Sequence, residues 1–234
     1  MIHLMKLELR KIKLSSYLKG VLIAFFIAAC FAALFLTILI VEKDTRQDFQ
    51  GYVEFLMMPN VMTRAVFIVF SSIFLSRLVV DEYKNRTILL MFTYPVERKR
   101  FFLAKLILSF TGTVVFGFIC NLAITSIVTV ILSQLNIYDD ITFANYMVNL
   151  KVVALSAIVC GFLSLIPFYF GMRKKSRTAT MGSGGNIACL LSSTFGGINL
   201  KQDLIRLLIC MAVSIGFVII TLTTKLHQLD EADV

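Results

Sequence analysis

Six apolar stretches, each long enough to cross a lipid bilayer, dominate this chain of 234 residues. About 20 helical residues at roughly 1.5 Å each cover a hydrocarbon core of about 30 Å. Hydrophobic residues make up 58% of the chain and charged residues only 16%. A soluble domain of this size would not bury so much apolar surface. The sequence therefore predicts an all-α membrane protein, with transmembrane helices at residues 17–41, 61–80, 102–132, 146–172, 178–198 and 204–226.

The fifth stretch is the weakest of these candidates because glycines interrupt it. They are Gly182, Gly184, Gly185, Gly196 and Gly197. Broken backbone is tolerated at membrane depth only where protein or water covers it. The sequence leaves open whether this span is continuous or broken, and it favours a flexible or closely packed helical segment over a phosphate-binding loop, since no lysine follows the glycines.

The charges between the spans indicate an orientation. If the N-terminus is cytoplasmic, most of the 23 basic residues lie on the inner side. The six that remain outside are Lys43, Arg46, Arg64, Lys151, Lys201 and Arg206. Cytoplasmic loops carry an excess of Lys and Arg, so both termini are expected in the cytoplasm. Arg64, Lys151 and Arg206 are then expected to extend their side chains to the outer interface.

Several classes of function lack the residues that they require. The chain has two histidines, no HExxH motif and no phosphate-binding loop, so neither metal-dependent hydrolysis nor nucleotide binding is expected. No acidic residue lies inside a predicted span, which disfavours an ion-coupled carrier. The basic residues sit at span ends, so no nucleic-acid partner is expected. Energy for any transport must come from a partner, most simply an ATPase.

The second cytoplasmic loop carries a recognisable pattern of charges, threonine and proline. An acidic residue precedes a threonine, an apolar turn and a proline, and basic residues follow. In this chain the pattern is formed by Glu82, Thr87, Leu89, Leu90, Pro95, Arg98 and Lys105. It resembles the pattern of ATP-binding-cassette (ABC) transporter permeases that export drugs, antibiotic peptides and polymers, similar to bacitracin and lantibiotic export and immunity permeases. That family usually has Gly before the threonine, where this chain has Arg86.

The resemblance implies that this loop forms a coupling helix, which docks on a separate ATPase. The apolar run at residues 87–94 is too short to span the membrane and suits a helix at the inner interface, ended by Pro95. An ordinary interfacial loop is the alternative.

Residues 1–16 form a loosely amphipathic segment, expected to be an interfacial helix like the elbow helix of these exporters or a plain topology signal. Residues 17–234 would then form a single six-helix transmembrane domain.

The third predicted span has a small or polar residue at every fourth position. These residues are Ser109, Thr113, Gly117, Asn121, Thr125 and Thr129, with Ser133 after them. Rows of small residues let membrane helices approach closely, and polar members form hydrogen bonds across the contact. The row predicts a helix contact within the subunit, with a translocation path or a dimer contact as alternatives.

The sequence therefore predicts a permease subunit of an ABC exporter, without an enzymatic centre or cofactor of its own. ATP and magnesium would bind the partner ATPase. The expected partners are that ATPase, a second permease copy or a sister permease, the lipid bilayer and an amphipathic or peptide substrate. The expected location is the cell membrane, in a bacterium. The alternative is a structural or regulatory membrane protein that transports nothing.

Overall fold

Six helices make up the described part of the computed structural model, which covers residues 14–41, 51–77, 98–135, 137–138, 140–167, 169–170, 177–192 and 200–231. They are α1 (Leu14–Val41), α2 (Tyr52–Leu75), α3 (Arg98–Gln134), α4 (Phe143–Leu163), α5 (Arg177–Ser192) and α6 (Leu200–Glu231). The predicted all-α membrane fold is confirmed. The predicted interfacial helix lies almost entirely outside the described residues.

Five of the six helices are long and apolar enough to cross a membrane: α1, α2, α3, α4 and α6. The remaining helix, α5, has 16 residues and is about 24 Å long at 1.5 Å per residue. It is therefore shorter than a hydrocarbon core of about 30 Å. The last six residues of the predicted fifth span, 193–198, lie outside the described residues.

The second helix begins at Tyr52, well before the start at residue 61 that the sequence predicts. Proline and asparagine disfavour the interior of a helix. Pro59 and Asn60 are nevertheless buried inside α2. The Asn60 side-chain amide donates to Asn149 Oδ1 at 3.1 Å, and Thr63 donates to the Pro59 carbonyl oxygen at 2.8 Å. One hydrogen bond to α4 and one within α2 thus accompany a helical segment that local sequence signals disfavour.

The centre of the bundle is α2, which packs against α1, α3, α4 and α5. One apolar core joins α1, α2 and α3, with Ala28, Phe55 and Val128 among its members. A second core joins α2 to α4, α5 and α6. In contrast, α1 and α6 expose large apolar side chains such as Phe26 and Val213, as expected of helices that face lipid.

Candidate functional site: a polar helix contact and a buried ion pair

The polar row of α3 is buried and faces α2. Ser109, Thr113 and Thr125 have at most 3% of their surface exposed, and Asn121 has 4%. The Thr113 hydroxyl is hydrogen-bonded to the Ser71 hydroxyl at 2.8 Å. The row is therefore in contact with α2 in this conformation.

Two further members of the row meet α2 on either side of its middle. A Cβ atom added to Gly117 would lie 3.8 Å from the Phe67 ring, an ordinary van der Waals contact. Farther along α3, the half-buried Thr129 is hydrogen-bonded to the Tyr52 hydroxyl. The contact thus extends over most of α2, and a role of the same residues in a translocation path stays a prediction.

A buried ion pair joins α2 and α6. Arg64 binds Asp203 through both terminal nitrogens: Nη2 donates to Oδ2 at 2.9 Å and Nη1 to Oδ1 at 3.2 Å. Only 6% of Arg64 and 8% of Asp203 is exposed. Paired, bidentate geometry of this kind is what allows two charges to lie in an apolar environment.

Two asparagines extend this ion pair into a polar cluster, which we define as Asn60, Arg64, Asn149 and Asp203. Arg64 Nε donates to the Asn60 carbonyl oxygen at 3.3 Å, and the Asn60 side chain donates to Asn149 on α4. Asn60 Oδ1 is buried and accepts no hydrogen bond from the residues that the structure describes. The polar cluster therefore connects α2, α4 and α6 inside the membrane domain.

The polar cluster corrects one expectation from the sequence. Arg64 does not extend its side chain to an exposed position at the edge of the bundle, as the sequence predicts, because it is buried against Asp203. Asp203 lies in the first turn of α6, which begins at Leu200, and so just before the predicted sixth span at residues 204–226. The sequence does carry a signal for this pair, namely one arginine in an apolar span and one aspartate at the start of another. Only the fold shows that they meet.

The predicted coupling residues fall mostly outside the described structure: Glu82, Thr87, Leu89, Leu90 and Pro95 are not described. Arg98 is the first residue of α3. Lys105 lies farther along the same helix, with only 1% of its surface exposed. The Lys105 side chain is therefore enclosed rather than available on an exposed face. The coupling role of this set stays a prediction.

The glycine-rich segment of α5 is helical, and one of its glycines marks a close approach to α2. A Cβ atom added to Gly184 would overlap the Ser72 side chain on α2. Cβ atoms at Gly182 and Gly185 would meet open space. Ser72 itself is fully buried and donates to the Ile68 carbonyl oxygen at 2.8 Å. The segment is thus a helix contact, consistent with small residues at membrane helix interfaces.

Cysteine, histidine and acidic side chains do not form a group of three or more that could hold a metal ion in the described part of the chain. All five cysteines are free, and they lie on helices. The described polar side chains form hydrogen bonds and a charge pair between helices.

Comparison with known proteins assigns this membrane domain to a family. A family model described as "ABC-2 family transporter protein" matches residues 4–182. The chain is also 34% identical over 201 residues to a Bacillus subtilis (strain 168) protein named "Uncharacterized protein YcbO", and the match covers 86% of this chain and 87% of that protein. No solved structure matches. Because the family model covers well over half of the chain, the chain belongs to the ABC-2 family of transporter proteins.

Proposed function

We propose that this ABC transporter permease exports an amphipathic or hydrophobic substrate from a bacterial cell, with a membrane-active peptide as the first candidate. The observation that carries the proposal is the match to the transporter family over residues 4–182. The motif resemblance in residues 82–105 adds the link to peptide and drug exporters. The permease family is the membrane component of its transporters, so ATP hydrolysis belongs to a separate subunit that binds ATP and magnesium.

A substrate that enters from the bilayer or the cytoplasm fits the short outer connections of the chain. Residues 42–51 join α1 to α2, and residues 135–142 join α3 to α4. Connections of this length are too short to form an external domain that would capture a soluble ligand. Both α1 and α6 expose large apolar side chains. An apolar or amphipathic molecule could therefore reach the bundle through the lipid phase.

The complete transporter in this proposal contains two permease subunits, either identical or paired with a sister permease, and two ATPase subunits. The rival proposal is a structural or regulatory membrane protein that transports nothing. The family match favours the permease. Co-purification of the chain with an ABC ATPase from its own cell would support the permease, and its purification without any ATPase would support the rival.

The proposed orientation is tested by labelling single cysteines in intact cells. In a background in which the five native cysteines are replaced, Asp140→Cys is expected to react with a membrane-impermeant maleimide and Arg77→Cys is not. Both residues are exposed in the structure, so the protein itself shields neither of them from the reagent. The expectation follows from the excess of basic residues on the inner side. Labelling of residue 77 but not of residue 140 would show the opposite orientation.

The proposed coupling segment is tested by removing single charges. Glu82→Ala and Arg98→Ala are each expected to weaken ATPase binding on the order of tenfold, about 1.4 kcal/mol, because charge pairs set register at such contacts. Lys201→Ala is the matched control, since Lys201 is an exposed charge predicted to lie on the outer side. Co-purification and substrate export measure the effect. Full assembly and full export in both variants would remove the coupling assignment.

A further inference from the structure

The ion pair of the polar cluster connects two helices, α2 and α6, that otherwise share little surface. Most of the packing of α6 is against α4, and its direct contact with α2 is small. The outward side of α6 is open, with Ile205 and Ile209 each 57% exposed and Val213 63% exposed. Across the short contact with α2, Arg64 and Asp203 form a bidentate ion pair. The ion pair is therefore the charged part of a short direct contact between α2 and α6, which are also joined through α4.

An ion pair in an apolar environment differs from an apolar contact in what its separation costs. Two apolar side chains that separate inside a membrane exchange one apolar contact for another, so the cost is small. Two opposite charges that separate there lose their attraction without regaining water, and the cost is large. The Arg64–Asp203 pair is thus the part of the α2–α6 contact that resists separation most.

We propose that the Arg64–Asp203 pair is a strut that makes α2 and α6 move as one unit during transport. This inference rests on the proposed transport cycle, in which an ATPase displaces the helices. The cytoplasmic segment that carries the predicted coupling motif follows directly after α2 along the chain. A displacement that enters α2 from this segment would pass to α6 through the ion pair. Arg64 and Asp203 are positioning residues in this scheme, since they act through the helices that they join.

The test uses a variant without either charge, because one unpaired buried charge strongly destabilises the fold. The double variant Arg64→Leu/Asp203→Leu leaves no charge unpaired. Spin labels at Met62 on α2 and Ile209 on α6, in full-length cysteine-free protein in lipid nanodiscs, report the distance between the two helices. We expect a narrow distance distribution when both charges are present and a broad one in the double variant, already without nucleotide.

The same proteins are then measured with the co-purified ATPase and ATP. With the pair intact, the α2–α6 distance is expected to stay the same with and without nucleotide. In the double variant the distance is expected to change with nucleotide, and export is expected to fall about two- to thirtyfold while ATP hydrolysis continues. The swapped variant Arg64→Asp/Asp203→Arg is expected to recover part of the narrow distribution and of the export. This rescue separates a positioning role from a loss of folding.

Two results would overturn the strut. One is full export by the double variant together with an α2–α6 distance distribution as narrow as that of the unmodified protein. The pair would then have no role in moving the two helices together. The other is a nucleotide-dependent change of the α2–α6 distance in protein that keeps both charges. Absence of export by the unmodified permease with its ATPase would instead count against the proposed function. The distance measurement without nucleotide tests the strut independently of that outcome.

Discussion

Arg64→Leu alone is expected to lower the free energy of unfolding of the membrane domain by about 3–5 kcal/mol. The substitution leaves the Asp203 carboxylate buried on α6 without the guanidinium that binds it. A buried, unpaired charge loses its hydration and gains nothing in return. The fall is measured from the thermal or denaturant-induced unfolding of the purified full-length protein in detergent.

Two controls test whether the unpaired charge of Asp203 causes the loss of stability. The double variant Arg64→Leu/Asp203→Leu is expected to recover most of the lost stability, because it removes both charges together. Lys151→Leu removes an exposed cation from α4 and is expected to change stability by about 0.5 kcal/mol or less. Equal losses in the single and double variants would contradict the view that the cost comes from the unpaired aspartate.

Gly184→Leu is expected to destabilise the bundle by about 1–3 kcal/mol or more, and Gly184→Ala by a smaller amount. Even the first carbon of a side chain at this position overlaps the buried Ser72. Because a serine side chain is short and Ser72 is fully enclosed, α5 and α2 must move apart to accept the substitution. The unfolding midpoint of the purified protein measures the effect.

The matched control for Gly184 lies two residues away on the same helix. A Cβ atom at Gly182 meets open space, so Gly182→Ala adds helix propensity without a clash. Such a change is expected to stabilise α5 by about 0.5–1 kcal/mol. Gly117→Ala on α3 is a second control, since its Cβ would make ordinary contact with Phe67. A similar loss of stability at Gly182 and Gly184 would show that helix flexibility, not close packing, governs this segment.

The helical fold could be predicted from the sequence because membrane spans are encoded locally. Twenty or so consecutive apolar residues are sufficient to identify a span, and no distant residue is needed. The start of α2 shows where local signals fail. Pro59 and Asn60 resemble a helix boundary, yet the contact from Asn60 to Asn149, across 89 residues of sequence, lets the helix continue. Tertiary contacts of this kind are not visible in a local pattern.

The candidate site was less accessible to sequence analysis for the same reason. The four-residue row on α3 was visible because its members share one helix. The meeting of Arg64 with Asp203 was missed because the two residues lie on different helices, and each considered alone resembles an interfacial charge. The coupling residues Glu82 to Pro95 lie outside the described structure, so their assignment depends on the resemblance and on the variants proposed above.

The ion pair also has a consequence for how the chain is synthesised and inserted. Arg64 precedes Asp203 by 139 residues. At a synthesis rate of about 5–20 residues per second, Arg64 is made roughly 7–28 seconds before Asp203. During that interval the guanidinium must remain near the headgroups or beside the insertion machinery, because an arginine at the centre of a span costs about 2.5–3.5 kcal/mol. Arrival of α6 would then allow the charge to be buried against Asp203. The insertion of α2 would thus be completed only after α6 has been made.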